Sequence, residues 1–130
     1  MTDRFPVVLE MGLGVDLHGE DQTKAARRAV RDAIGRVSLP GLRALVPGGD
    51  LANMRVEVTV AVPRPEEVDA DAVAAELPYG RIAARAVPGG LRAPNGNLAA
   101  LVEGAERPDD HLVCAVALVA VGWEEAPAAP

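Results

Sequence analysis

The sequence predicts one α+β domain, with helices packed on one face of a mixed β-sheet. Three observations carry this reading. The chain has 130 residues, 49% of them hydrophobic, enough to bury a single core of ordinary size. Met54, Val56, Val58, Val60 and Val62 alternate with Arg55, Glu57, Thr59 and Ala61, the two-residue period of a strand with one buried face. Ala25, Ala29, Val30, Ala33, Ile34 and Val37 recur at three- and four-residue spacing, as on the apolar stripe of a surface helix.

Taken along the chain, a first strand is predicted over about 5–11, where Val7, Leu9 and Met11 alternate with Val8, Glu10 and Gly12. The glycine-bearing stretch GLGVDLHGED reads as a loop. Asp21 is a good N-cap for a helix over 22–37, and its small, alanine-rich face allows a close approach to a sheet. Pro40 and Gly41 end it. The clearly alternating strand stops at Pro63, since proline cannot donate to a ladder. A second helix is predicted over 69–77, capped by Asp69 and closed by Pro78, followed by a third strand over 81–87 and a turn at Pro88-Gly89-Gly90. Residues 92–111 read as loop, with one or two helical turns between Asn97 and Glu103. Leu112–Trp123 is apolar at both parities and valine-rich, as in a central strand covered on both sides. The single domain is taken as 1–124 and a disordered tail as 125–130. Two helices cannot hide both faces of the sheet, so self-association is expected to supply the missing cover.

Composition excludes several function classes. Acidic residues outnumber basic ones 19 to 13, for a net charge of −6, and aromatics are 2%. The charge repels phosphate backbones, and base-stacking platforms are scarce, so no nucleic-acid partner is expected. No apolar run approaches the length of a membrane span, and no signal-peptide pattern opens the chain; no membrane partner and a cytoplasmic location are expected. The single cysteine, Cys114, allows no internal disulfide and reads as a core thiol. Basic residues concentrate in 22–43 (Lys24, Arg27, Arg28, Arg31, Arg36 and Arg43), whereas acids dominate 50–76; solvated helix faces of opposite sign are the favoured reading, with an anion site at the start of the first helix or charges mated across a subunit interface as alternatives.

The densest polar constellation is Glu10, Asp16, His18, Asp21, Thr23, Lys24 and Arg28, running from a strand end through a glycine turn into a helix. Ligands of open α/β sheets sit at such places. His18 could act as a general base with Asp16 or Glu10 orienting it, and Asp21, Thr23, Lys24 and Arg28 could bind an anionic ligand near the helix amides. A divalent cation on Glu10, Asp16 and His18 is an alternative, although no metal or cofactor is expected. The same residues also have structural roles open to them as cap, first-turn and turn residues. The glycines are not a dinucleotide fingerprint, because Leu17 stands where GxGxxG needs its third glycine. Gly89 and Gly90 could let backbone amides approach a ligand, and Arg92 could fork onto a carboxylate or phosphate.

LEMGLGVDLHGEDQTKAARRAVRDAI, VEVTVAVPRPEEVD and DDHLVCAVALVAV together resemble an uncharacterised bacterial family of short conserved hypothetical proteins, over about residues 9–121. The stretch EMGxGxDxHGxDxTKAAxRAV, residues 10–30, is its most specific part. That family carries no activity to transfer. More distantly, the order of elements is similar to the superfold of RidA/YjgF proteins and AroH-class chorismate mutases, and to the repeat unit of ring-opening amidohydrolases such as cyanuric acid hydrolase and barbiturase. This resemblance implies a homotrimer with clefts between subunits, a small polar or nitrogen-containing ligand, and Arg107 as counterpart of the arginine before the last strand. The Ser–Lys pair of the ring-opening enzymes is absent: Val60-Ala61-Val62-Pro63 and Pro88-Gly89-Gly90 stand at those places, so their nucleophilic mechanism is not available. The function expected is small-molecule binding or acid–base chemistry in an inter-subunit cleft; the alternative is a non-catalytic interaction protein, and a metal-dependent hydrolase stands third.

Overall fold

A computed structural model describes residues 2–102, 104 and 106–125. The elements run β1 (Thr2–Asp16), α1 (Gln22–Gly35), α2 (Leu42–Leu45), β2 (Arg55–Val62), α3 (Ala70–Ala74), β3 (Arg81–Pro88), β4 (Leu91–Pro94), α4 (Leu98–Val102) and β5 (His111–Glu125). Short 3-10 turns at Pro47–Gly49, Leu51–Asn53 and Pro65–Glu67 fill the connections. The sheet order is β1-β5-β2-β3, with β4 also pairing β5. β5 is antiparallel to β1 and β2, while β2 and β3 are parallel. A parallel pair needs a crossover, and the segment carrying α3 supplies it. The fold is α+β, with a mixed sheet and helices on one side.

α1 packs across β1 and β5 through Ala25, Ala26, Ala29 and Ala33, all 0–1% exposed. The strand answers with glycine. A Cβ on Gly12 would stand 2.4 Å from the Ala29 carbonyl oxygen, and one on Gly14 2.2 Å from the Ala29 nitrogen. Alanine on the helix and glycine on the strand thus let the two backbones approach. The core is completed by Val56, Val58, Val60 and Val62 of β2 and Val113 and Val119 of β5, each contributing about 2 kcal/mol of transfer free energy.

Several boundaries differ from the sequence reading. β1 extends to Asp16, so Gly12 and Gly14 belong to a strand and not to a loop; their period-two placement beneath α1 is a packing requirement. β4 forms inside the stretch read as loop. It takes up the partner position on β5 where β2 ends: Ala61 pairs with Val116, and Leu91 with Cys114. α3 is shorter than 69–77, although Asp69 caps it as expected, accepting from the amides of Asp71 and Ala72. α4 supplies the helical turns expected after Asn97; Glu103 lies outside the described residues. β5 includes Glu124 and Glu125, leaving only 126–130 of the expected tail, also outside the described residues.

β5 is central, as its apolar sequence predicted, and over residues 119–123 it is buried at both parities, but further toward its start the outer face is open among the described residues. On the side away from α1, Val7, Leu9, Met11 and Leu13 of β1 are 44–68% exposed, and Val116 and Leu118 of β5 are 40% and 37% exposed. No described helix is long and apolar enough to cross a membrane.

Candidate functional site

β1 delivers Asp16 to the start of α1, and five residues of loop, 17–21, make the turn. Asp16 is only 2% exposed. Its Oδ2 accepts from the Asp21 amide at 2.8 Å, and its Oδ1 lies 3.5 Å from Lys24 Nζ. Asp21 caps α1 as predicted, accepting from the Lys24 amide at 3.0 Å. At the middle of the loop Gly19 has φ +92° and Glu20 φ +52°, the left-handed region that a side chain ordinarily avoids. Partners from distant parts of the chain hold this conformation. The Gly19 amide donates to both carboxylate oxygens of Asp110 at 3.1 and 3.2 Å. Asn95 Nδ2 donates to the Leu17 carbonyl at 2.9 Å and to Asp110 at 3.1 Å. Arg92 pairs with Glu20 at 2.5 Å.

The electrostatics follow from these contacts. The Arg92 hydrogen bond, reinforced by the charges of Arg92, Arg64 and His111, holds the Glu20 carboxyl below its usual range. Desolvation pushes the Asp110 carboxyl upward, but hydrogen bonds from Gly19, Asn95 and His111 outweigh it and hold that group low.

Of the expected site residues, the structure brings Asp16, His18, Lys24 and Arg28 together. With Leu17 and Leu98 they line a small cavity of about 140 Å³. Arg28 also donates to the Val15 carbonyl at 2.6 Å. Thr23 points elsewhere. Its hydroxyl donates to the Glu67 carbonyl at 3.3 Å and accepts from the Asp69 amide at 2.9 Å, fastening α1 to the turn before α3. Gly89 and Gly90 are likewise explained by packing, since a Cβ on Gly90 would stand 2.2 Å from the Cys114 carbonyl oxygen. Arg107 stands in the segment before β5, its amide donating to Asn97 Oδ1 at 2.8 Å. Glu10 is not part of this corner. It lies six residues earlier on β1, roughly 20 Å away along an extended strand, and lines a different cavity. The triad Glu10–Asp16–His18, as orienter, base or metal site, is therefore not assembled within the chain. Among the described residues no three His, Cys, Asp or Glu side chains could share a metal ion.

Sequence reasoning missed Glu20, Gln22, Asn95 and Asp110. Gln22 is 2% exposed; its Oε1 accepts from the Arg64 amide at 3.1 Å and its Nε2 donates to the Glu20 carbonyl at 3.3 Å. A glutamine at the first helical position carries no local signal for such a role, because its partner lies 42 residues away.

A family model described as "Conserved hypothetical protein (Lin0512_fam)" matches residues 6–121. The chain belongs to this family. A crystal structure of an "FtsZ-like protein of unknown function" from Nostoc punctiforme PCC 73102 is similar to this Lin0512_fam chain at 38% identity and TM-score 0.81, covering 96% of this chain and 99% of that one. No curated protein matches it.

This Lin0512_fam chain holds a second candidate place, at the opposite end of α1. A cavity of about 210 Å³ lies between the sheet and the segment following the helix, walled by Val8, Ile34, Leu39, Leu42, Met54, Val56, Leu77, Val119 and Val121, with Glu10 and Tyr79 adding polar groups. Burial pushes the Glu10 carboxyl above its usual range, because charging it there forfeits hydration without a compensating partner.

Proposed function

We propose that the protein is a small-molecule-binding homo-oligomer, with a small polar or nitrogen-containing compound held in the corner formed by Asp16, His18, Lys24 and Arg28. The observation that carries this reading is the bare apolar half of the outer sheet face. Val7, Leu9, Met11, Leu13, Val116 and Leu118 are each 37–68% open and together present on the order of 500 Å². That sits near the top of what a monomer leaves contiguous and supplies most of one partner's share, about 800 Å², of a standard interface. The neighbouring half of the face carries both signs of charge in an Arg55–Glu57 pair at 2.7 Å and an Arg85–Thr59 bond at 3.2 Å, an apolar core with a mixed polar rim that suits a second copy.

Just past the end of β1, Leu17, 52% exposed, lines the corner cavity. A copy seated on the outer face would close over that corner, making it an inter-subunit cleft. Three copies, as in the RidA and chorismate mutase arrangement, are the assembly favoured. If chemistry occurs there, His18 is the acid–base group and Lys24 and Arg28 the anion stabilisers.

Sedimentation equilibrium tests the assembly. The wild type is expected to sediment as an oligomer, a trimer on this reading, and Met11→Glu as a folded monomer; a monomeric wild type at micromolar concentration overturns it. A thermal-shift screen of nitrogen heterocycles and small carboxylates tests the corner. A compound that stabilises wild type but not His18→Ala supports it, and one that stabilises both equally binds elsewhere. A non-catalytic interaction protein is the second reading, favoured by the way Asp16, Asp21, Thr23 and Arg28 all spend hydrogen bonds on backbone atoms.

A further inference from the structure

Glu10 sits in its apolar cavity without a hydrogen bond or ion pair to any described residue, whereas Asp16, Glu20 and Glu76 have cationic partners and Asp110 accepts from Gly19 and Asn95. Its place follows from strand parity. Leu9 and Met11 face outward, so Glu10 between them faces the helix side, among Val8, Ile34, Leu42, Met54 and Val119. A half-buried carboxyl group in such surroundings is less favourable as a bare anion than when neutral or met by a charge brought from outside. No described cation supplies that charge.

We propose that this cavity binds a small hydrophobic amine, its hydrocarbon part against the aliphatic walls and its ammonium on the Glu10 carboxylate. The cavity volume of about 210 Å³ corresponds to roughly seven waters, which limits the ligand to about seven to ten heavy atoms, a short alkyl chain or one ring. An ammonium is preferred to a neutral donor because it neutralises the half-buried carboxylate and donates to it at once, and charge-assisted hydrogen bonds are the stronger kind. An anionic ligand is disfavoured by repulsion. The walls set size and apolarity, and Glu10 sets charge. The cavity is independent of the corner at Asp16 and of assembly, since Glu10 and the outer-face residues point to opposite sides of β1.

Titration of the full chain with hexylamine, 1-hexanol and hexanoate, followed by amide NMR shifts, tests the proposal. Hexylamine is expected to shift Val8, Ile34 and Val119 saturably, hexanol to bind at least tenfold more weakly, and hexanoate not to bind. Glu10→Gln, confirmed as folded by its own amide spectrum, should lose at least tenfold in hexylamine affinity while keeping the weak hexanol response. The proposal is overturned if hexylamine leaves those amides unmoved, if hexanol or hexanoate binds as well, or if Glu10→Gln binds hexylamine like the wild type.

Discussion

Gly12 and Gly14 show how much can hang on the absence of one methyl group. At either position a Cβ would meet main-chain atoms of α1, and backbone, unlike the end of a flexible side chain, cannot swing aside. Gly14→Ala should therefore force α1 away from β1, costing about 3 kcal/mol and lowering the melting temperature by roughly 10 °C. Gly35→Ala is the natural control, because nothing lies within 4 Å of its Cβ position and alanine is the better helix former. Thermal denaturation of both variants checks the point; equal effects would mean that the close approach is not what the glycine is for. At the same scale Asp16 illustrates why residue type alone misleads. A buried carboxylate beside histidine and lysine reads as catalytic, yet one of its oxygens is occupied by the Asp21 amide, and its first role is to shape the turn into α1.

Among the elements, α1 and the segment after α3 are joined by charge. Arg27 Nε and Arg31 Nε reach the two oxygens of Glu76 at 2.6 and 2.7 Å. The sequence showed basic and acidic stretches that looked like separately solvated faces, because nothing in either stretch says that the chain brings them together. The Arg31 hydrogen bond, then that of Arg27, holds the Glu76 carboxyl below its usual range. A carboxyl depressed in the folded state adds stability above its unfolded value and loses it as the pH falls through the folded one. Glu76→Gln should accordingly lower the urea midpoint at pH 7, with the difference from wild type shrinking as the pH falls below the ordinary carboxylate range and closing once the folded-state carboxyl is protonated. A difference that stays the same size throughout the acid titration would show that the ion pairs are not its source.

For the whole molecule, the bare outer face is the dominant fact. A monomer would hold its apolar half in water, and any assembly that covers it couples folding to association. Stability then depends on protein concentration, by about 1.4 kcal/mol for each tenfold change in a dimer and more in a trimer. The melting temperature should rise by a few degrees for each tenfold increase in concentration; a melting temperature independent of concentration would mean that the folded state owes nothing to association. That the helices would leave one sheet face without a layer was readable before the structure, from the count of helices against sheet faces. Which side chains that face exposes was not, because it rests on β1 continuing through its glycines as far as Asp16.

By itself the sequence determined the helix and strand periods, the Asp21 and Asp69 caps, the central place of the valine-rich last strand and the neighbourhood of Asp16, His18, Lys24 and Arg28. All of these are local: period, cap and turn chemistry act over a few residues and leave their mark in adjacent letters. Tertiary structure alone decided that Gly12 and Gly14 are packing glycines, that Asp110, Asn95 and Arg92 bolt the 17–21 loop, that Glu76 meets Arg27 and Arg31, and that Glu10 lies apart in an apolar cavity. Each of these joins residues distant in the chain, or turns on strand parity continuing through an ambiguous glycine run, and the pairing energy resides in contacts that exist only once the sheet has closed its register.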